Sequence, residues 1–158
     1  MSRVHDRQPA FDVGKALELL TPKLRQIIAC EFVIGVDPVL AGVHRFQRAA
    51  DGRPYSETPH CVYDIHQGHR PVSDRGIKII LPRNPAYGWG SWGGVETVVH
   101  ELGHVLHART EPDHIADPVS AYAHTNHREA FAEAFREWIW GGRIDERTAA
   151  LFDRAAKG

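Results

Sequence analysis

The chain has 158 residues, 42% of them hydrophobic and 25% charged, with a formal net charge of −1. That length suits one domain around a single core, and the near-neutral balance gives no electrostatic case for a nucleic-acid partner. No apolar run approaches the roughly 20 residues of a membrane span, and the opening Met1-Ser2-Arg3-Val4-His5-Asp6-Arg7 lacks the apolar run of a secretion signal, so the expected location is cytoplasmic, with signal-independent export or delivery left open.

Residues 1–10 are polar and are expected to form a loose N-terminal segment ahead of a single domain spanning 11–158. From Val13 to Ala29 the apolar positions Ala16, Leu17, Leu20, Leu24, Ile27 and Ile28 recur at helical spacing, and Thr21-Pro22 marks a break or a fresh helix start. A short β-branched run from Glu31 stops at Asp37-Pro38 and reads as a strand. Residues 41–50 fit either strand or helix, and Asp51-Gly52-Arg53-Pro54 is a turn. Cys61 to His66 alternates and reads as a strand, as does Gly76 to Leu81, which Pro82 ends. The loop 82–94 is rich in glycine and aromatics; it is either a surface crossover or a wall of a cleft. Cys30 and Cys61 do not form a close ligand pair and read as core thiols.

Residues 97–106 hold the densest chemistry, with His100-Glu101-Leu102-Gly103-His104 forming His-Glu-x-x-His. On a helix, residues four apart share a face, so both imidazoles can reach one metal ion, and zinc suits them. Glu101 lies about 100° round the helix, where it can serve a water as general base. Val98, Leu102, Val105 and Leu106 fall on the opposite side, and Glu101 is the one charged residue between Thr97 and Ala108. Histidine is the compositional outlier, 11 in all, six of them between His100 and His127.

A loop from Arg109 to Val119 follows, and Tyr122-Ala123-His124-Thr125-Asn126 leads into a helix from His127 to Trp140 with the stripe Phe131, Ala134, Phe135, Trp138. Gly141-Gly142 ends that helix, and a last short helix spans Asp145 to Ala156.

A catalytic zinc takes three protein ligands and leaves one position open. His107 shares the histidine face but lies roughly 10 Å from His100, a poor position for a ligand. Asp113, His114 and Asp117 in the following loop remain possible, as does Glu129 on the next helix, beside the small residues Ala130, Ala132 and Ala134. Asn126 and Glu129 also have capping-box spacing, so Glu129 reads equally as a helix cap, and Asn126 as a cap or an outer contact of the site. Glu133, one turn on, is either an outer carboxylate behind a ligand histidine or a surface partner of Arg136.

The segments 97–107 and 122–136, under a fifth of the chain, resemble the two zinc-site segments of the anthrax lethal factor-like metallopeptidases. In that family a His-Glu-x-Gly-His helix is followed by a tyrosine, then Thr-Asn, then a glutamate within Glu-Phe-Phe-Ala-Glu-Ala-Phe. The resemblance implies His100, His104 and Glu129 as zinc ligands, Glu101 as base and Tyr122 as a transition-state donor. Two departures stand out: Ala130 replaces an aromatic, and His107 stands where an acid often follows.

The expectation is therefore an α+β, zincin-like domain. A small twisted sheet would lie over the His-Glu helix, with a second ligand-bearing helix beside it. The strand ending at Leu81 would lie near the cleft as an edge that pairs with an extended peptide. The expected activity is zinc-dependent endopeptidase, one Zn²⁺ per chain, acting on a peptide or protein substrate, with no membrane partner. Two alternatives are a phage-type anti-repressor-like metallopeptidase, whose usual Leu-Leu-Met-Pro continuation is here Arg136-Glu137-Trp138-Ile139-Trp140, and a non-catalytic zinc-stabilised binding module.

Overall fold

The computed structural model describes residues 4–34, 60–62, 66–67, 70–71, 78–81 and 94–157. These residues are mostly helical. Helix α1 spans Val4–Glu18, so the backbone expected to be loose over 1–10 is helical from Val4 onward. Periodicity marks only the turns that face a core, and the first turns of α1 carry no such pattern, which is why they read as loose. Pro22 sets the end of α1. A continued helix would drive its ring into the carbonyl of Glu18 and lack its hydrogen bond. Helix α2 (Pro22–Ile27) starts afresh there, with Thr21 as cap: its Oγ accepts from the Leu24 N–H at 3.3 Å. The same hydroxyl donates to the Ala156 carbonyl at 2.9 Å, tying α2 to the far end of the chain.

The strands are short: β1 Glu31–Ile34, β2 His60–Val62, β3 His66–Gln67, β4 Arg70–Pro71 and β5 Lys78–Leu81. In the three-stranded sheet the order is β1-β5-β2. β1 runs parallel to β5, with Glu31 opposite Lys78 and Ile34 opposite Leu81. β2 runs antiparallel to it, with Cys61 opposite Ile79. β3 and β4 pair separately. Two expectations are corrected. The strand ending at Leu81 is central, with neighbours on both sides, so its backbone cannot receive an added peptide strand. The single strand expected over Cys61–His66 belongs to two different sheets, because alternation reads the same on either side of a break. Ile79 and Leu81, two apart and so on one face, are fully buried. The stretch 41–50, the turn at 51–54 and the loop 82–93 lie outside the described residues. Cys30 is a free thiol packed against the core; burial, only partly opposed by Arg109, pushes its pKa up to about 11.

Helix α3 (Gly94–Thr110) is the centre of the molecule, with every residue from Thr97 to Leu106 buried. Helix α4 (His127–Ile139) packs along it, and α5 (Glu146–Ala156) closes over α4. Phe131, Phe135 and Phe152 meet edge to face, with Phe152 centroids 5.2 and 5.3 Å from the other two. Burying each such ring contributes about 1.5–3 kcal/mol. At the end of α4, Gly141 takes φ +77°, and the Gly141 and Gly142 amides return to Trp138 and Glu137. That is the glycine-terminated cap expected from the sequence.

One contact sets the spacing of α3 and α4. A Cβ on Gly103 would lie 2.8 Å from Ala132 Cα, 3.1 Å from its carbonyl oxygen and 3.2 Å from Phe135 Cβ. The two helix backbones therefore touch where neither has more than a methyl group. Gly103→Ala gains up to about 1 kcal/mol of helix propensity, but the clash is with backbone that cannot rotate away, and overpacking costs about 1–3 kcal/mol. We expect a net loss of roughly 1–2 kcal/mol in chemical denaturation. A variant as stable as the parent would show that the helices can separate freely.

Candidate metal centre

Three side chains from two helices converge at the α3–α4 contact. Helical spacing puts His100 and His104 on one face of α3, with ring centroids 4.9 Å apart. From α4, the Glu129 carboxylate spans both: one oxygen lies 2.9 Å from His100 Nε2 and the other 3.0 Å from His104 Nε2. Asn126 caps α4 by accepting from the Glu129 N–H at 2.9 Å. The cap thus uses Glu129's backbone amide, while its side chain goes to the two histidines rather than back to the helix start.

Glu101 also brings a carboxylate oxygen into this cluster, within 4.8 Å of ligand atoms on both histidines. His100, Glu101 and His104 are 3%, 5% and 7% exposed. Ligands at about 2.0–2.1 Å around a tetrahedral zinc stand roughly 3.3 Å from one another. The 2.9 and 3.0 Å between the two Glu129 oxygens and the Nε2 atoms fall a few tenths of an ångström below that. Two imidazole nitrogens and a carboxylate suit zinc.

Behind the histidines stands Glu133, fully buried. One of its oxygens lies 2.8 Å from His100 Nδ1 and accepts from Arg136 Nε at 3.1 Å; the other accepts from Ser120 Oγ at 2.7 Å. The bond to Nδ1 leaves Nε2 facing Glu129 and fixes the ring. Glu133 is thus both an outer partner of a histidine and the partner of Arg136, whose guanidinium also reaches Glu96 at 3.8 Å.

Charge follows from this packing. Burial disfavours an imidazolium at His100, but hydrogen bonds to Glu129 and Glu133, helped by the charges of Glu101 and Glu129, outweigh it and hold the pKa up to about 10. Burial likewise opposes ionisation of Glu129, yet its bonds to His100 and His104 keep the carboxyl well below the usual range. Glu133 is lowered in the same way, against burial, by His100, Ser120 and Arg136.

Tyr122 opens a 3₁₀ turn, Tyr122–His124, that leads into α4, and its ring meets His100 edge-on at 5.7 Å. The loop candidates lie against the start of α5. Asp113 pairs with Arg147 at 3.1 Å, His114 Nε2 lies 2.9 Å from Thr148 Oγ1, and Asp117 is held there by its backbone N–H, which donates to Asp145 at 3.0 Å. His107 packs its ring on Phe131 at 4.8 Å and near His127 at 5.7 Å. Ser120 is the contributor that the sequence did not single out, and Arg136 was read there only as a surface partner of Glu133. Only a hydroxyl two residues ahead of Tyr122 hinted at Ser120.

No family model, curated protein or solved structure matches the chain. Among the described residues, no helix is long and apolar enough to cross a membrane.

The two glutamates of α4 separate by metal retention. Glu129→Ala should release zinc at low chelator concentration, whereas Glu133→Ala should weaken binding by roughly 10–100-fold. The reverse ranking in a chelator titration would make Glu133 the ligand.

His107 gives a pH signature. Burial, reinforced by the charges of His127, His104 and Arg128, lowers its pKa to about 4. The unfolded chain takes this proton near pH 6.5 and the folded one only near 4, so His107 costs stability as the pH falls through that window. The Tm difference between the parent and His107→Gln should shift against the parent from about pH 6.5 down to about 4. A difference independent of pH would mean that His107 titrates normally in the folded protein.

Proposed function

We propose that the protein is a zinc-dependent endopeptidase, with a zincin-like architecture akin to that of the lethal factor-like metallopeptidases. One observation carries the reading: the Nε2 atoms of His100 and His104 on one helix meet the single carboxylate of Glu129 from another, with Glu101 buried beside them. A site built only to stabilise a fold needs no acid next to its ligands, and structural zinc sites use four closed ligands. Here three groups converge with an acid beside them, the donor set of a catalytic rather than a structural zinc.

In this reading His100, His104 and Glu129 would hold one Zn²⁺, which would supply a Lewis acid to lower the pKa of water and polarise a carbonyl. Glu101 takes the proton of the attacking water and passes it to the leaving amine. Tyr122 offers its phenol O–H as a donor to the oxyanion that develops as the amide carbon becomes tetrahedral. Glu133 holds His100 in the tautomer that keeps Nε2 available. The substrate is a peptide or protein. The paired central strand offers no edge to it, so it would be held by other surfaces of the cleft.

Two substitutions test the reading on labelled casein. Glu101→Gln keeps the shape and the metal but cannot accept a proton, so turnover should fall by about 10²–10⁴-fold. Tyr122→Phe should lower kcat by about 10²–10³-fold with KM nearly unchanged, the signature of a donor used only in the transition state. Zinc-loaded parent protein that cleaves nothing, or a Glu101→Gln variant at parental rate, would instead favour a non-catalytic metal module.

A further inference from the structure

We propose that Ser120 is a positioning residue, a hydroxyl joint that locks the turn carrying Tyr122 to the helix carrying Glu129 and Glu133. The role in catalysis rests on the peptidase reading above; the joint itself does not.

Ser120 Oγ donates to Glu133 at 2.7 Å and accepts from the Ala123 N–H at 3.1 Å. A hydroxyl has one proton and two lone pairs, so it can serve both partners at once. No side chain of Ala121, the residue at the head of the 3₁₀ turn, caps it. Ser120 performs that task one residue earlier, and for a buried residue, since Ala123 is 2% exposed. The turn that opens with Tyr122 is thus anchored by its second amide to an oxygen whose own proton is fixed on Glu133.

Glu133 makes the joint consequential. Its two oxygens are held from different directions, one by Ser120 and the other by His100 Nδ1 and Arg136 Nε. If the Ser120 hydroxyl is removed, one oxygen of a fully buried carboxylate loses its donor and the carboxylate can swing about its remaining bonds. Both consequences converge on the same ring: His100 loses its fixed partner, and Tyr122, packed edge-on to His100, loses its anchored turn. The turn carrying Tyr122 and the second turn of α4 are thereby joined at a single oxygen.

The experiment compares Ser120→Ala with Ser120→Thr, which keeps the hydroxyl. In the zinc-loaded protein, amide hydrogen exchange at Ala123 should speed up at least tenfold in Ser120→Ala and return towards the parental rate in Ser120→Thr. Zinc affinity, by chelator competition, should fall about tenfold in the alanine variant, the low end for loss of an outer-sphere partner. On labelled casein, kcat should fall about tenfold with KM unchanged, and this loss should largely vanish when Ser120→Ala is made in the Tyr122→Phe background, because the two residues then act as one unit. Unchanged Ala123 exchange, or equal kcat losses in both backgrounds, overturns the proposal. Parent protein without turnover overturns the peptidase reading instead, and the exchange and zinc measurements still decide the joint.

Discussion

The arrangement depends on how closely α3 and α4 approach at Gly103 and Ala132. A carboxylate has a short reach. Glu129 spans two imidazoles on a neighbouring helix only because the backbones there are separated by almost no side chain. The same approach buries Glu133 behind His100 and brings Phe131 and Phe135 onto the apolar side of α3. A helix pair held apart by leucines would leave the histidines facing water and the glutamates facing one another across a gap.

Closeness has an electrostatic cost. Three glutamates, at 101, 129 and 133, are drawn into a mostly water-free space, and uncompensated buried charges are costly. For Glu129 and Glu133, compensation comes from hydrogen bonds on named oxygens: the histidines, Arg136 and Ser120. The result is a site with an excess of negative groups and a standing demand for positive charge. With only protein groups present, His100 meets that demand by holding a proton. A divalent ion would meet it more fully, because it attracts both carboxylate and imidazole lone pairs.

The segment joining α3 to α4 is long, yet well fastened. Its first half is tied to the start of α5, where Asp145 caps the helix, accepts from the Asp117 amide and holds Thr148, which in turn meets His114. Its second half is tied to α4 through Ser120. Asp113 and His114, which resemble ligands in the sequence, thus hold the loop in place through their side chains. That fixed course delivers Tyr122 to the edge of the His100 ring.

Local spacing was enough to read the His-Glu helix, the fresh start at Thr21-Pro22, the Asn126 cap and the glycine stop after α4. Each depends on residues within a turn or two of one another, where geometry follows directly from the order of the chain. The sequence also bounded the choice for a third group beside the histidines but left Glu129 in competition with Asp113, His114 and Asp117. Only the tertiary structure brings the Glu129 carboxylate to both Nε2 atoms, because that depends on the distance between two helices, set by a glycine and an alanine 29 residues apart. The position of Lys78–Leu81 was hidden for the same reason: a strand carries no local mark of whether it will have one neighbour or two. Ser120 was the least legible of all, since a serine in a loop becomes significant only when a buried carboxylate from another element arrives at its hydroxyl.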